Sequence, residues 1–118
     1  MKIVFLYPRW TGEYGLFGHF ARRNSTWPPL NLAMLAAVVE QAGHEAQIID
    51  AEAEGISEDN LVKMALKTKA DIFALTCYSP FLHLNTSLAN KLKKKCNTTI
   101  IVGGPHITIM REKALTPD

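Results

Sequence analysis

The sequence is poor in cysteine, in net charge and in long apolar runs, and each shortage removes a class of function. Two cysteines in 118 residues, Cys77 and Cys96, supply neither a disulfide framework nor a metal quartet, and they imply a reducing, cytoplasmic setting. Lys plus Arg number 13 against 11 for Asp plus Glu. A net charge of +2 gives no electrostatic case for nucleic acid or an anionic membrane as partner. No apolar run approaches the roughly 18 residues of a membrane-spanning helix, and the stretch before Pro8 is too short for a signal peptide. What is present suffices for a core. A hydrophobic fraction of 47% against 20% charged suits one domain over 1–118, with no room for a second core.

Four short apolar runs alternate with helical patterns. Lys2 to Tyr7 is continuous and β-branched or aromatic until Pro8 stops it. Ala46 to Asp50 is more polar and fits nearer a sheet edge, while Asp71 to Thr76 and Thr98 to Val102 are again continuous. Runs without alternation are expected of strands covered on both faces. Between them, Pro29 to Ala42 is rich in Leu, Ala and Val and meets Gly43; Ser57 to Lys69 opens on a capping serine with Glu58 and Asp59 behind it; and Phe81 to Cys96 carries Leu84, Leu88 and Leu92 on one stripe. Its lysine-rich end, Lys91 and Lys93 to Lys95, reads as a solvated helix terminus rather than a phosphate site. The order predicts right-handed crossovers and an α/β domain with a doubly wound parallel sheet of four to five strands and helices on both faces.

Ligands of such sheets sit beyond the carboxyl ends of the strands. The candidate residues are therefore Pro8, Arg9 and Trp10 after the first strand, Thr76 and Tyr78 after the third, and Gly103, Gly104, Pro105 and His106 after the fourth. The segment Arg9 to Trp27 reads as a long loop, where roughly 2–6 residues are usual. It mixes aromatics with cations, and two readings stand: a cover for a large planar or anionic ligand, or a surface packed on a neighbouring domain. Its glycines follow G-x-x-G-x-x-G, not the dinucleotide fingerprint, and there is no P-loop. A phosphoacceptor site needs acids where the first strand ends in Pro8 and Arg9 and the third in Thr76 and Cys77, so that chemistry is excluded. Gly103 and Gly104 permit either close approach of a ligand to the backbone or a tight turn. No base is placed by sequence to activate Cys77.

These residues carry a resemblance. Met1 to Pro8, Pro28 to Ala37, Gly43 and His44 with Asp50 and Ala51, Asp71 to Thr76, and Val102 to Thr108 together resemble the cobalamin-binding domain at the N-terminus of radical S-adenosylmethionine enzymes. The resemblance implies a flavodoxin-like fold with the corrin ring across the strand ends and the cofactor's nucleotide tail between the sheet and a helix. By position, Thr76 falls where the family has a hydroxyl near the buried tail, and Tyr78 at the lining position that follows. Gly103 and Gly104 fall where paired glycines leave room for tail and corrin, so a bulky side chain at either is expected to fill cofactor space.

Two departures accompany it. Asp-x-His-x-x-Gly, the motif that supplies a lower cobalt ligand elsewhere among cobalamin domains, is missing, so no residue is assigned as a metal ligand; and Asn31 stands where the family has glycine. No C-x-x-x-C-x-x-C run is present, which leaves the iron–sulfur cluster and S-adenosylmethionine to another part of a longer protein. The chain after His106 is also roughly 20 residues short of a fifth βα unit, and a fragment is expected. The expected function is a non-catalytic cobalamin-binding module serving a downstream radical domain of a methyltransferase or cyclase. The competing expectation is a cofactor-free interaction domain of the same fold.

Overall fold

The computed structural model of the chain describes residues 1–25 and 27–115; Thr26, within the expected loop, and 116–118 lie outside the described residues. In chain order the elements are β1 (Lys2–Tyr7), a 3₁₀ turn (Thr11–Phe17), α1 (Gly18–Ser25), α2 (Leu30–Gln41), β2 (Glu45–Asp50), α3 (Ala51–Glu54), α4 (Glu58–Lys67), β3 (Ile72–Thr76), a 3₁₀ turn (Ser79–Phe81), α5 (Leu82–Lys93), β4 (Thr99–Gly103), α6 (Pro105–Met110) and a last 3₁₀ turn (Arg111–Leu115).

All four strands are parallel in the order β2-β1-β3-β4. Phe5 of β1 stands opposite Ile48 on one side and Ala74 on the other. The chain winds one way from β1 to β2 and the other way to β3, so the switch point falls between β1 and β3. This is the flavodoxin-like α/β arrangement. The polar run around Gln47 forms one edge strand, as expected from its composition, and β4 forms the other.

Side chains alternate across the sheet because successive residues of a strand point to opposite faces. Val4, Leu6, Ile49, Phe73 and Leu75 meet Leu61, Val62 and Ala65 of α4 and Leu88 and Leu92 of α5 in one continuous core. On the other face, Phe5 meets only Leu32 and Ala36 of α2 as fully buried partners. Ser57 caps α4, accepting the Asn60 amide at 3.3 Å. Lys91 bridges α5 to α4 through Glu58 at 2.8 Å and Asp59 at 2.7 Å; the lysine-rich helix end is solvated, with this one residue clipping the two helices together.

The segment after Trp10 departs from its expectation as a loop. It forms a 3₁₀ turn and α1, broken at Gly15, whose φ of 54° and ψ of −126° interrupt the helical path. Among the described residues no helix is long and apolar enough to cross a membrane.

Candidate functional site

The site is assembled where β1, β3 and β4 end. Backbone pairing continues past the strands: the Cys77 amide donates to the Gly103 carbonyl at 2.8 Å and the His106 amide to the Cys77 carbonyl at 3.2 Å. The segments 76–78 and 103–106 therefore form one rigid rim. Gly104 has φ 106°, and a Cβ there would stand 2.8 Å from the Cys77 carbonyl oxygen and 2.9 Å from its nitrogen. Gly103 is different, since a Cβ there meets nothing within 4 Å. The expectation that both glycines make room for a ligand is thus divided. Gly104 is demanded by the close approach of two strand ends, and Gly103 alone opens onto free space.

That space is a cavity of about 660 Å³ between α2 and the β1, β3 and β4 part of the sheet. Its size falls within the roughly 300–1,000 Å³ of small-molecule sites. Thr76, Tyr78, Gly103, Gly104 and Pro105 line it, together with Ile101 and the α2 side chains Asn31, Met34, Leu35 and Val38. The lining is almost wholly apolar. Its polar feature is a pair at the rim, where the Asn31 Nδ2 donates to Thr76 Oγ1 at 3.2 Å. Asn31 therefore ties the first turn of α2 to the end of β3.

The other predicted residues sit beside this cavity rather than in its wall. Pro8 is buried and ends β1. Trp10 packs on Phe81, with ring centroids 5.5 Å apart at 35°, and meets Tyr14 edge-on at 6.1 Å. Burial first, and then the neighbouring Tyr78 and Asp50, raise the Tyr7 pKa, and the nearby Trp10 side chain opposes that rise. His106 is half-buried, and its Nδ1 lies 2.9 Å from Ser79 Oγ, which joins the rim to the turn after β3. Two rim nitrogens, His106 Nε2 and Arg9 Nε, are shut off from solvent without a hydrogen-bond partner. Such atoms are uncommon in folded proteins and mark places that polar groups complete. Cys77 is fully buried, and burial pushes its thiol pKa up, which disfavours the thiolate a nucleophile needs. Among the described residues no group of three His, Cys, Asp or Glu is placed to hold a metal ion.

Two features lie in segments the sequence marked, but it gave them no role. One is Glu52, buried to 1% exposure, with both carboxylate oxygens engaged by Trp10 and Thr11. The other is the role of α2. The sequence showed only an apolar helix, and on it Met34 is 71% and Val38 62% exposed. The signal was present: a helix apolar on nearly every side needs cover on more than one side, and the sheet covers only one.

The family sequence model described as the B12 binding domain matches residues 19–118. The chain belongs to the B12-binding domain family. It is 34% identical over 90 residues to an uncharacterized methyltransferase of Pyrococcus horikoshii, covering 75% of this chain and 19% of that protein. It is 27% identical over 119 residues to the anaerobic magnesium-protoporphyrin IX monomethyl ester cyclase of Rubrivivax gelatinosus, covering 98% of this chain and 20% of that one. The chain thus spans about a fifth of the length of these curated relatives. No solved structure matches it significantly.

Proposed function

We propose that this B12-binding domain holds a cobalamin with its nucleotide tail in the cavity under α2 and its corrin ring over the strand ends, and presents it to a radical S-adenosylmethionine domain of a longer protein. The observation that carries the reading is the cavity itself, an apolar groove that opens at Gly103 and runs beneath an otherwise uncovered helix face. The residues fit such a ligand. Leu35, Val38 and Ile101 offer an apolar bed for a planar base, the Asn31–Thr76 pair a polar contact at its mouth, and Arg9 and His106 unmet nitrogens at the rim.

A corrinoid supplies organometallic chemistry that no side chain provides. The chain's own residues bind, orient and exclude water, and none is cast as an acid, a base or a nucleophile. The names of the two relatives, a methyltransferase and a cyclase, support a parent enzyme of one of these kinds. An iron–sulfur cluster and S-adenosylmethionine belong to the parent rather than to this domain, whose two cysteines, one buried and one half-buried, are too few for the three-cysteine run such a cluster needs.

The test is titration of the purified chain with hydroxocobalamin under reducing conditions, followed by desalting and cobalt analysis. Near-stoichiometric cobalt with a shifted absorption spectrum is expected. A colourless protein, with the full-length parent equally colourless, overturns the reading in favour of a cofactor-free interaction domain. Exposed Leu16, Phe17 and Phe20 would then be the surface to map.

A further inference from the structure

Glu52 is the one acidic side chain in the fully buried class among the described residues, and nothing in the corrinoid reading uses it. It sits in α3, a single turn closed at both ends: Asp50 Oδ1 accepts the Ala53 amide at 2.9 Å, and Gly55 takes the left-handed conformation at φ 66°. From this turn Glu52 Oε2 accepts the amides of Trp10 at 2.8 Å and Thr11 at 2.9 Å. Its Oε1 accepts the Thr11 hydroxyl at 2.5 Å. Hydrogen bonds to a carboxylate are among the stronger ones available, and three of them converge here on two adjacent residues.

The same turn holds the far end of the aromatic segment. The Ala53 carbonyl accepts from Arg22 Nη2 at 2.9 Å, and the Arg22 guanidinium lies so close over Gly55 that a Cβ there would come within 2.5 Å of it. Thr11 is wholly buried, and a Cβ on Gly18 would stand 2.6 Å from its carbonyl oxygen, so α1 begins hard against the latched point. Neither Trp10 nor Thr11 belongs to the apolar core of either face. The latch is therefore not a device for folding the sheet. What it fixes is Trp10, which follows the end of β1 and packs its indole on Phe81 beyond β3, ring centroids 5.5 Å apart, across the switch point.

We infer that Glu52 is a positioning residue for the ligand edge: its carboxylate sets Trp10 across the ends of β1 and β3, and through Trp10 it governs how long a corrinoid stays bound. The inference rests on the corrinoid reading above. It gives the aromatic segment the role of a cover tied to α3, not that of a free loop.

The experiment compares wild type with Glu52→Ala, Glu52→Gln and Thr11→Val. It measures hydroxocobalamin release by rapid dilution, and amide hydrogen exchange of the ligand-free chain. In Glu52→Ala, protection is expected to vanish at the Trp10 and Thr11 amides and to persist in β1 and β3, while hydroxocobalamin leaves at least about tenfold faster. Glu52→Gln keeps an acceptor for the two amides, so its release rate is expected to fall between the two. Release at the wild-type rate from a Glu52→Ala protein whose segment has loosened overturns the inference. If Glu52→Ala also loses protection in β1 and β3, Thr11→Val decides, through a threefold faster release or none. Wild-type protein that takes up no hydroxocobalamin sinks the corrinoid reading instead. Exchange at Trp10 and Thr11 then judges the latch, which is overturned if Glu52→Ala leaves it unchanged.

Discussion

The two faces of the sheet differ in how completely they are covered. Beneath α4 and α5, residues of all four strands or their flanks join a core in which Leu61, Leu88, Leu92 and Val4 are wholly buried. On the opposite face a single helix, α2, rests on Phe5 through Leu32 and Ala36 and leaves most of its remaining apolar surface outward. The strands are the same; only the alternation of their side chains separates the faces. Stability is concentrated on one face and capacity for a ligand on the other. An open apolar groove is a poor way to hold a small domain together and a good way to receive a planar ligand. A change on the first face is therefore expected to read out in unfolding, and a change on the second in binding.

The largest effect should come from the covered face. Phe73→Ala removes a ring buried among α4, α5 and β1 and is expected to cost about 3–5 kcal/mol. Val38→Ala, on the open side of α2 and lining the cavity, is expected to cost under about 0.5 kcal/mol. Urea unfolding followed by far-ultraviolet circular dichroism measures both. Similar losses from the two variants would break the comparison.

The neighbouring glycines sharpen it. Gly103→Leu places a side chain in the open cavity, so hydroxocobalamin affinity should fall at least a hundredfold, about 2.7 kcal/mol, with the urea midpoint held. Gly104→Ala should do the reverse. Its φ of 106° and the 2.8 Å approach to the Cys77 carbonyl place the added methyl against backbone, at about 1–3 kcal/mol of stability. Cobalt content and urea midpoint measured side by side separate the two. A Gly103→Leu protein that retains cobalt would remove the nucleotide tail from the groove.

The strands were legible because a continuous apolar run between turn residues has few other uses, and their observed ends lie within one residue of the expected ones. The edge position of β2 was legible from Gln47 in its run. The cavity was half legible. Thr76, Tyr78 and Gly103 to Pro105 were placed on it by the rule that ligands sit at strand ends, whereas Met34, Leu35 and Val38 showed only as part of an apolar helix, because composition does not say which side of a helix has a partner. The state of the segment after Trp10 was not legible at all. Its geometry depends on Glu52, more than forty residues along the chain, and three polar contacts leave no periodic trace. Gly103 and Gly104 look alike in sequence; only the carbonyl of Cys77, brought in by a parallel strand, tells them apart.

The smallest expected effect lies in the clip between α4 and α5, and it tests whether the covered face owes anything to charge. Lys91 is hydrogen-bonded to Asp59 and Glu58, which hold its ammonium above the ordinary lysine range, and Lys91 in turn holds the Asp59 carboxyl below its ordinary 3.8. The lowered acid contributes stability that is fully present above that ordinary value and is lost as pH falls through its folded value. The raised base contributes stability that is fully present below 10.5 and is lost only as pH rises through its still higher folded value. The clip should therefore act on a plateau from about pH 5 to pH 10. Both groups are solvent-exposed, so the effect is screened and small. Lys91→Met is expected to lower Tm by under about 4 °C at pH 7, with the difference from wild type shrinking at pH 2.5 and in 1 M salt (Debye length about 3 Å). A difference that persisted unchanged under both conditions would mean that the Lys91 stem packs against α4, and that the covered face is held by apolar contact even at its charged rim.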